Sequence, residues 1–162
     1  MSSFLDNALK SLNRASRMLD DLAAHSHSGE AFADRLPYVL DLLAGVRRQL
    51  DAAVKECGHL SGWWKDQWTP ERKALSELRN AQLKRLETSE APRSQTRTNV
   101  PAGEWRGHRV SEGDTVSWIE WYFVDGRYEG QPVLSVLAGA LDDLRGLIDE
   151  VRIRLHAEGV TT

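Results

Sequence analysis

The sequence predicts a mainly α-helical protein: an antiparallel four-helix bundle with a small β-hairpin or meander inserted before the last helix. Three observations carry this reading. Apolar residues recur with helical periodicity over four separate stretches, most regularly in the first two, where the spacings are three and four. A fifth stretch, TVSWIEWYF at 115–123, alternates with period two, as a strand does. Capping or turn residues bound these stretches, and consecutive helices pack most simply antiparallel. The 162 residues suit one domain, large enough to bury a core without staples.

The first helix is expected over about 3–24, where Ser3 and Asp6 form a capping-box pattern and Leu5, Ala8, Leu12, Ala15, Leu19 and Leu22 share one face. HSHSG at 25–29 ends it. The second, about 34–57, has the most regular stripe, with Leu36, Val39, Leu43, Val46, Leu50, Ala53 and Cys57 spaced for lengthwise packing. Asp34 is its expected cap and Pro37 falls in its first turn; an earlier start with a kink at Pro37 is the alternative. HLSGWWKDQWTPE at 59–71 is a loop or short helical turn carrying Trp63, Trp64 and Trp68. Thr69-Pro70-Glu71 then opens a third helix, about 70–88, with a hydroxyl cap and proline at the first helical position.

Residues 89–103 are rich in Ser, Thr, Pro, Arg and Asn without periodicity, and read as a mobile connection. The β-hairpin is expected over about 115–131, turning at Asp125-Gly126, with Ser117, Ile119, Trp121 and Phe123 on one face. A further short strand near 104–110 would extend it to a meander. Pro132 opens the last helix, about 132–158, with Val133, Leu137, Ala140, Leu144, Ile148, Val151 and Leu155 inward.

The net charge of −3 hides an asymmetry. Residues 1–60 carry 7 basic and 8 acidic side chains, 61–109 carry 10 and 6, and 110–162 carry 4 and 10. A basic middle segment can meet a polyanion, or pair with the acidic third of the same chain or of a second copy. The single cysteine, Cys57, excludes an intramolecular disulfide and suits a reducing compartment. No secretion signal is visible, and the longest apolar run, Leu36 to Val46, is broken by Asp41 and too short to span a bilayer, so a cytoplasmic location is expected.

Nothing in the residues points to an enzyme acting on a small metabolite: there is no phosphate-binding glycine loop and no Ser/His/Asp order, and no cofactor is expected. His25 and His27 could begin a metal site but lack a ligand set, so no metal is expected; they read more simply as loop histidines. Cys57 suits a small core position, with His59 as its only adjacent base. The tryptophans could stack bases, but large aromatics that close the bundle end and seat the hairpin are the simpler account. Asp142, Asp143, Asp149 and Glu150 could hold a divalent ion or form a solvated face.

The third helix holds the most unusual residue. In SELRNAQLKRLE, 76–87, Arg79 falls between Leu83 and Leu86 on the helical wheel, inside the apolar stripe. A guanidinium there needs a partner, a site, or a route to water. Arg79, Asn80, Gln82, Lys84 and Arg85 combine cations with amide donors within two turns, a set suited to gripping a phosphate or holding a second helix.

LRNAQLK at 78–84 resembles the arginine-plus-histidine motif of the HEPN superfamily, an all-α bundle family. That motif is Arg, often followed by Asn, Asp or His, with histidine after four to six intervening residues. Arg79 and Asn80 match it, but Lys84 stands where the histidine would be, and no histidine lies between His59 and His108. The resemblance implies a homodimer whose two motifs face a shared cleft, an RNA or nucleotide partner, and a place in bacterial toxin or phage-defence systems. Active members cut RNA without a metal and leave a cyclic phosphate. On that basis Arg79 would stabilise phosphate charge, Asn80 would orient it, and Lys84 would replace the proton-transfer residue. A lysine with its ordinary pKa near 10.4 stays cationic at neutral pH and is a poor general base, which argues for weak or absent ribonuclease activity with binding retained. The other reading of the same helix is a non-catalytic protein–protein interaction or structural module.

Overall fold

Apolar residues spaced by three and four bury one continuous stripe on each of three long helices, and those stripes meet. The computed structural model describes residues 2–84, 90–105, 108–124 and 126–159. Among them are α1 (Ser2–Ala24), α2 (Gly29–Glu56), a 3-10 turn (Gly58–Leu60), α3 (Ser61–Asp66) and α4 (Pro70–Lys84). There follow β1 (Glu90–Val100), β2 (Gly103–Trp105), β3 (His108–Val110), β4 (Asp114–Phe123), a second 3-10 turn (Gly126–Tyr128) and α5 (Val133–Ala157). The protein is mainly helical with small antiparallel sheet, and no described helix is long and apolar enough to cross a membrane.

The core is the shared interior of α1, α2 and α5. Leu5, Ala8, Leu12, Ala15 and Leu22 of α1 pack with Leu36, Val39, Leu43, Val46 and Leu50 of α2. On α5, Val133, Leu137, Leu144, Ile148, Val151 and Leu155 are buried, as their spacing predicts, while Ala140 is half-buried. Helix α4 lies along α2. Ser76 meets Arg47 and Arg79 meets Asp41, so the numbers rise on one helix as they fall on the other and the pair is antiparallel.

Helix α2 begins five residues before the expected 34, taking the earlier-start alternative. Ser28 rather than Asp34 is the cap, accepting from the Ala31 N–H at 3.4 Å, and Pro37 sits inside the helix. The extra turn is held by the fully buried Phe32 and by Arg35, whose Nε–H reaches Asp21 at 2.8 Å on α1. Tertiary packing outweighs the single backbone hydrogen bond that Pro37 cannot make. In α1, Ser3 is already helical. The expected last residues of the third helix, 85–88, lie outside the described residues.

The segment expected to be a mobile connection, 89–103, is instead mostly strand. β1 pairs antiparallel with β4, with Arg93 opposite Glu120, Gln95 opposite Trp118 and Thr96 opposite Ser117. It shows no alternation because its cross-strand pairs are polar or cationic: Gln95 donates to the Tyr122 hydroxyl at 2.9 Å, Thr96 and Ser117 hydroxyls lie 3.2 Å apart, and Arg93 sits 4.6 Å over the Tyr122 ring. The partner expected for β4 was 127–131. Those residues form a tight return in which Gly130 N–H donates to Phe123 O at 2.9 Å and Phe123 N–H to Gln131 O at 3.1 Å. Gly126 and Gly130, at φ 74° and 76°, supply the left-handed conformations this return needs, while Asp125 lies outside the described residues. In place of one strand near 104–110 there is a miniature β2–β3 hairpin.

Trp121 seats the ribbon on the helices. Its ring stacks on Phe32 at 4.6 Å with 9° between planes, and its Nε1–H donates to the Ser26 carbonyl at 2.8 Å. A β-carbon at Gly29 would come within 3.4 Å of the indole, so the start of α2 is closely fitted beneath it. Trp121→Ala is expected to lower stability by about 3–5 kcal/mol, and Trp121→Phe by about 1–2 kcal/mol because it keeps most of the stack but orphans a buried carbonyl; urea unfolding of the two variants checks the order.

Candidate functional site

The position of Arg79 follows from how α4 is fastened. On a helix, residues seven apart return to within about 20° and lie about 10 Å apart along the axis. Arg72 and Arg79 are such a pair, and each reaches a different neighbouring helix. Arg72 makes a bidentate contact with Asp143 on α5, Nε to Oδ2 at 2.6 Å and Nη2 to Oδ1 at 2.8 Å, and also donates to the Gln67 carbonyl. Arg79 places Nε at 3.0 Å and Nη2 at 2.7 Å from Asp41 Oδ1 on α2, with Nη1 at 3.4 Å from the Asn80 side-chain oxygen.

Asp41 serves two cations. Arg48 Nη2 lies 4.0 Å from the oxygen that Arg79 holds. Arg79 is 26% exposed, so its stem lies in the α2–α4 seam while its head reaches the surface. The structure therefore brings together Arg79 and Asn80 and adds Asp41 and Arg48. It does not extend to the rest of the sequence-derived set: Gln82 and Lys84 belong to α4 but their side chains, like all of Arg85, lie outside the described residues.

The remaining candidates resolve into structural roles. His25 Nδ1 lies 2.7 Å from the Asp21 carbonyl and its Nε2 lies 3.4 Å from Arg35. Among the described residues no cluster of three or more His, Cys, Asp or Glu could hold a metal ion. Cys57 is buried at the end of α2. Trp64 donates to Asp51 at 2.6 Å and packs edge-on to Trp68, while Arg47 and Arg154 cover the rings of Trp68 and Trp63 at 4.1 and 4.2 Å. Of the acidic residues on α5, Asp143, Asp149 and Glu150 each pair with an arginine.

A second locus was missed from sequence. Beside Arg72, a cavity of about 480 Å³ opens between the first turns of α4, the 126–128 turn and the start of α5. Glu71 binds Arg127, and the Tyr128 hydroxyl donates to the Glu71 carbonyl at 2.9 Å. Backbone hydrogen bonding and then Arg127 hold the Glu71 carboxyl below its ordinary value. The Asp143 carboxylate raises the Arg72 pKa further, and burial raises that of the Tyr128 phenol. The only trace in the sequence is the Thr69-Pro70-Glu71 helix start; its cavity partners stand more than fifty residues away.

Compared with known proteins, the chain matches no family model, no curated protein and no solved structure.

Two outcomes follow from this geometry. In double-mutant cycles by urea unfolding, the Arg72–Asp143 coupling is expected at about 1–2 kcal/mol, above about 0.5 kcal/mol for the more exposed Arg79–Asp41 pair. Because burial favours the neutral phenol of Tyr128, its contribution is complete below the ordinary tyrosine pKa of 10.0 and is lost as pH rises through the higher folded value. Melting temperatures measured from pH 8 to 11 should therefore fall less steeply for Tyr128→Phe than for the parent.

Proposed function

We propose that this chain is a HEPN-like helical protein, dimeric, that binds RNA or nucleotide through the α2–α4 seam without cleaving it. In this reading α4 is the fourth member of the antiparallel bundle, and the protein belongs to bacterial toxin or phage-defence systems. One observation carries the proposal. Arg79 and Arg48 converge on a single carboxylate, Asp41, which leaves a net positive charge beside the exposed Asn80. A phosphate there would meet two guanidinium groups and an amide, the geometry that favours bidentate phosphate recognition.

The same contacts argue against catalysis. Arg79 is neutralised by Asp41 at rest, and no histidine stands at the motif position occupied by Lys84. General acid–base transfer needs a group that titrates near the working pH, which a histidine at that position would supply. The second reading, an interaction module without a nucleic-acid ligand, draws on the Arg79–Asp41 pair itself, which fastens α4 to α2 as a structural ion pair does.

Fluorescein-labelled single-stranded RNA, titrated with the protein and followed by anisotropy and by gel, separates the two. The first reading expects binding with intact RNA, weakening of about tenfold in Arg79→Ala and Arg48→Ala, and tightening in Asp41→Ala, all at unchanged mass in solution. An unbound RNA in the parent, together with dissociation or unfolding of Arg79→Ala, would establish the interaction module instead.

A further inference from the structure

The cavity between α4, the 126–128 turn and α5 takes no part in the phosphate contact just described. Its floor is apolar and shallowly contoured: Leu75, Val136, Gly139 and Ala140. Two of those four carry little or no side chain, so a flat object can approach the α5 backbone closely. The charged lining residues are already matched: Arg72 pairs with Asp143, and Glu71 pairs with Arg127 just outside the cavity. At the rim the Gln131 amide and the Ser135 hydroxyl have no hydrogen-bond partner among the described residues.

These features constrain the ligand. A charged ligand would have to break an existing ion pair, whereas an uncharged one leaves both intact. An apolar floor favours a ring face, and an unpartnered amide and hydroxyl at the rim offer donors and acceptors to a polar edge. The volume, about 480 Å³, is in the range of small-molecule pockets. From this geometry we infer that the cavity binds an uncharged, planar, hydrogen-bonding heterocycle, the chemistry of a nucleoside base, with its face on Gly139 and Ala140 and its edge toward Gln131 and Ser135.

Glu71, Arg72 and Tyr128, whose pKa values are displaced from the ordinary ones, all border this one cavity. The site shares a class of ligand with the α2–α4 seam but none of its residues, so either assignment stands or falls without the other.

Gly139 gives a clean test. Gly139 lines the cavity and a β-carbon there meets nothing within 4 Å, so a side chain can be added at this position without an immediate clash, and leucine is a better helix former than glycine. Adenosine and uridine are titrated into the full chain by isothermal calorimetry. Expected are binding of at least one nucleoside and at least a tenfold loss in Gly139→Leu with a melting temperature no lower than the parent's. Gln131→Ala should also weaken binding. Failure of both nucleosides to bind, or unaltered binding in Gly139→Leu, would each overturn the inference. Loss of nucleoside binding in Gly139→Leu supports it whether or not RNA binds at the α2–α4 seam.

Discussion

The seat of Trp121 decides where everything after residue 90 can be. Its ring lies flat on Phe32, and its Nε1–H closes the Ser26 carbonyl in the turn between α1 and α2. That one contact satisfies a buried polar group, buries a large aromatic surface and anchors the ribbon at the end of the helices where α5 must begin. Phe123, fully buried two residues on, then packs against Tyr128 at 5.7 Å, and Tyr128 reaches Glu71 on α4. From the indole outward, each contact positions the next: strand end, return turn, first turn of α4, start of α5. The cavity exists because these four pieces meet without filling the space between them.

Helix α4 is held differently from the other long helices. Among its described side chains, Ala74 is buried but Leu75 and Leu78 are only half-buried, so these contribute less apolar area than the buried stripes of α1, α2 or α5. Two arginines on one side of the helix supply the rest, one fastened to α5 and one to α2. Charge used in this way carries a directional demand that apolar packing does not. Arg72 is 13% exposed and its carboxylate is engaged at both oxygens, which specifies the rotation of α4 as well as its location. Arg79 sits nearer the surface and shares its acceptor, so the same device is firm at the start of the helix and open to exchange further along.

Much of this was legible in the sequence where burial follows a period. The stripes of α1, α2 and α5 and the shared face of Trp121 and Phe123 could be read directly, because one buried face imposes one spacing; which face of the strand is inward could not. The misplaced look of Arg79 was also a true signal. Its partner was in view too: Asp41, the residue that interrupts the apolar run from Leu36 to Val46, is the carboxylate that receives it. What could not be read was which acid faces which base, since that depends on how two helices are rotated against each other. β1 escaped notice for a related reason, because a strand stabilised by polar and cation–aromatic pairs on a two-stranded ribbon has no apolar alternation to show. The cavity drew on residues separated by more than fifty positions, and no local pattern joins them.

The ribbon also has a bearing on how the chain reaches this arrangement. Helices α1 and α2 are joined by four residues, 25–28, whereas residues 85–132 separate α4 from α5. Closing the longer loop as a free chain costs about 2 kcal/mol more in conformational entropy. Antiparallel pairing of β1 with β4 brings Glu90 opposite Phe123, so the far ends of that long excursion become neighbours once the strands zip. The ribbon thereby acts as a zipper that shortens the journey of α5: docking the last helix becomes a nearly local event, and a sequence of high separation folds with the economy of a short connection.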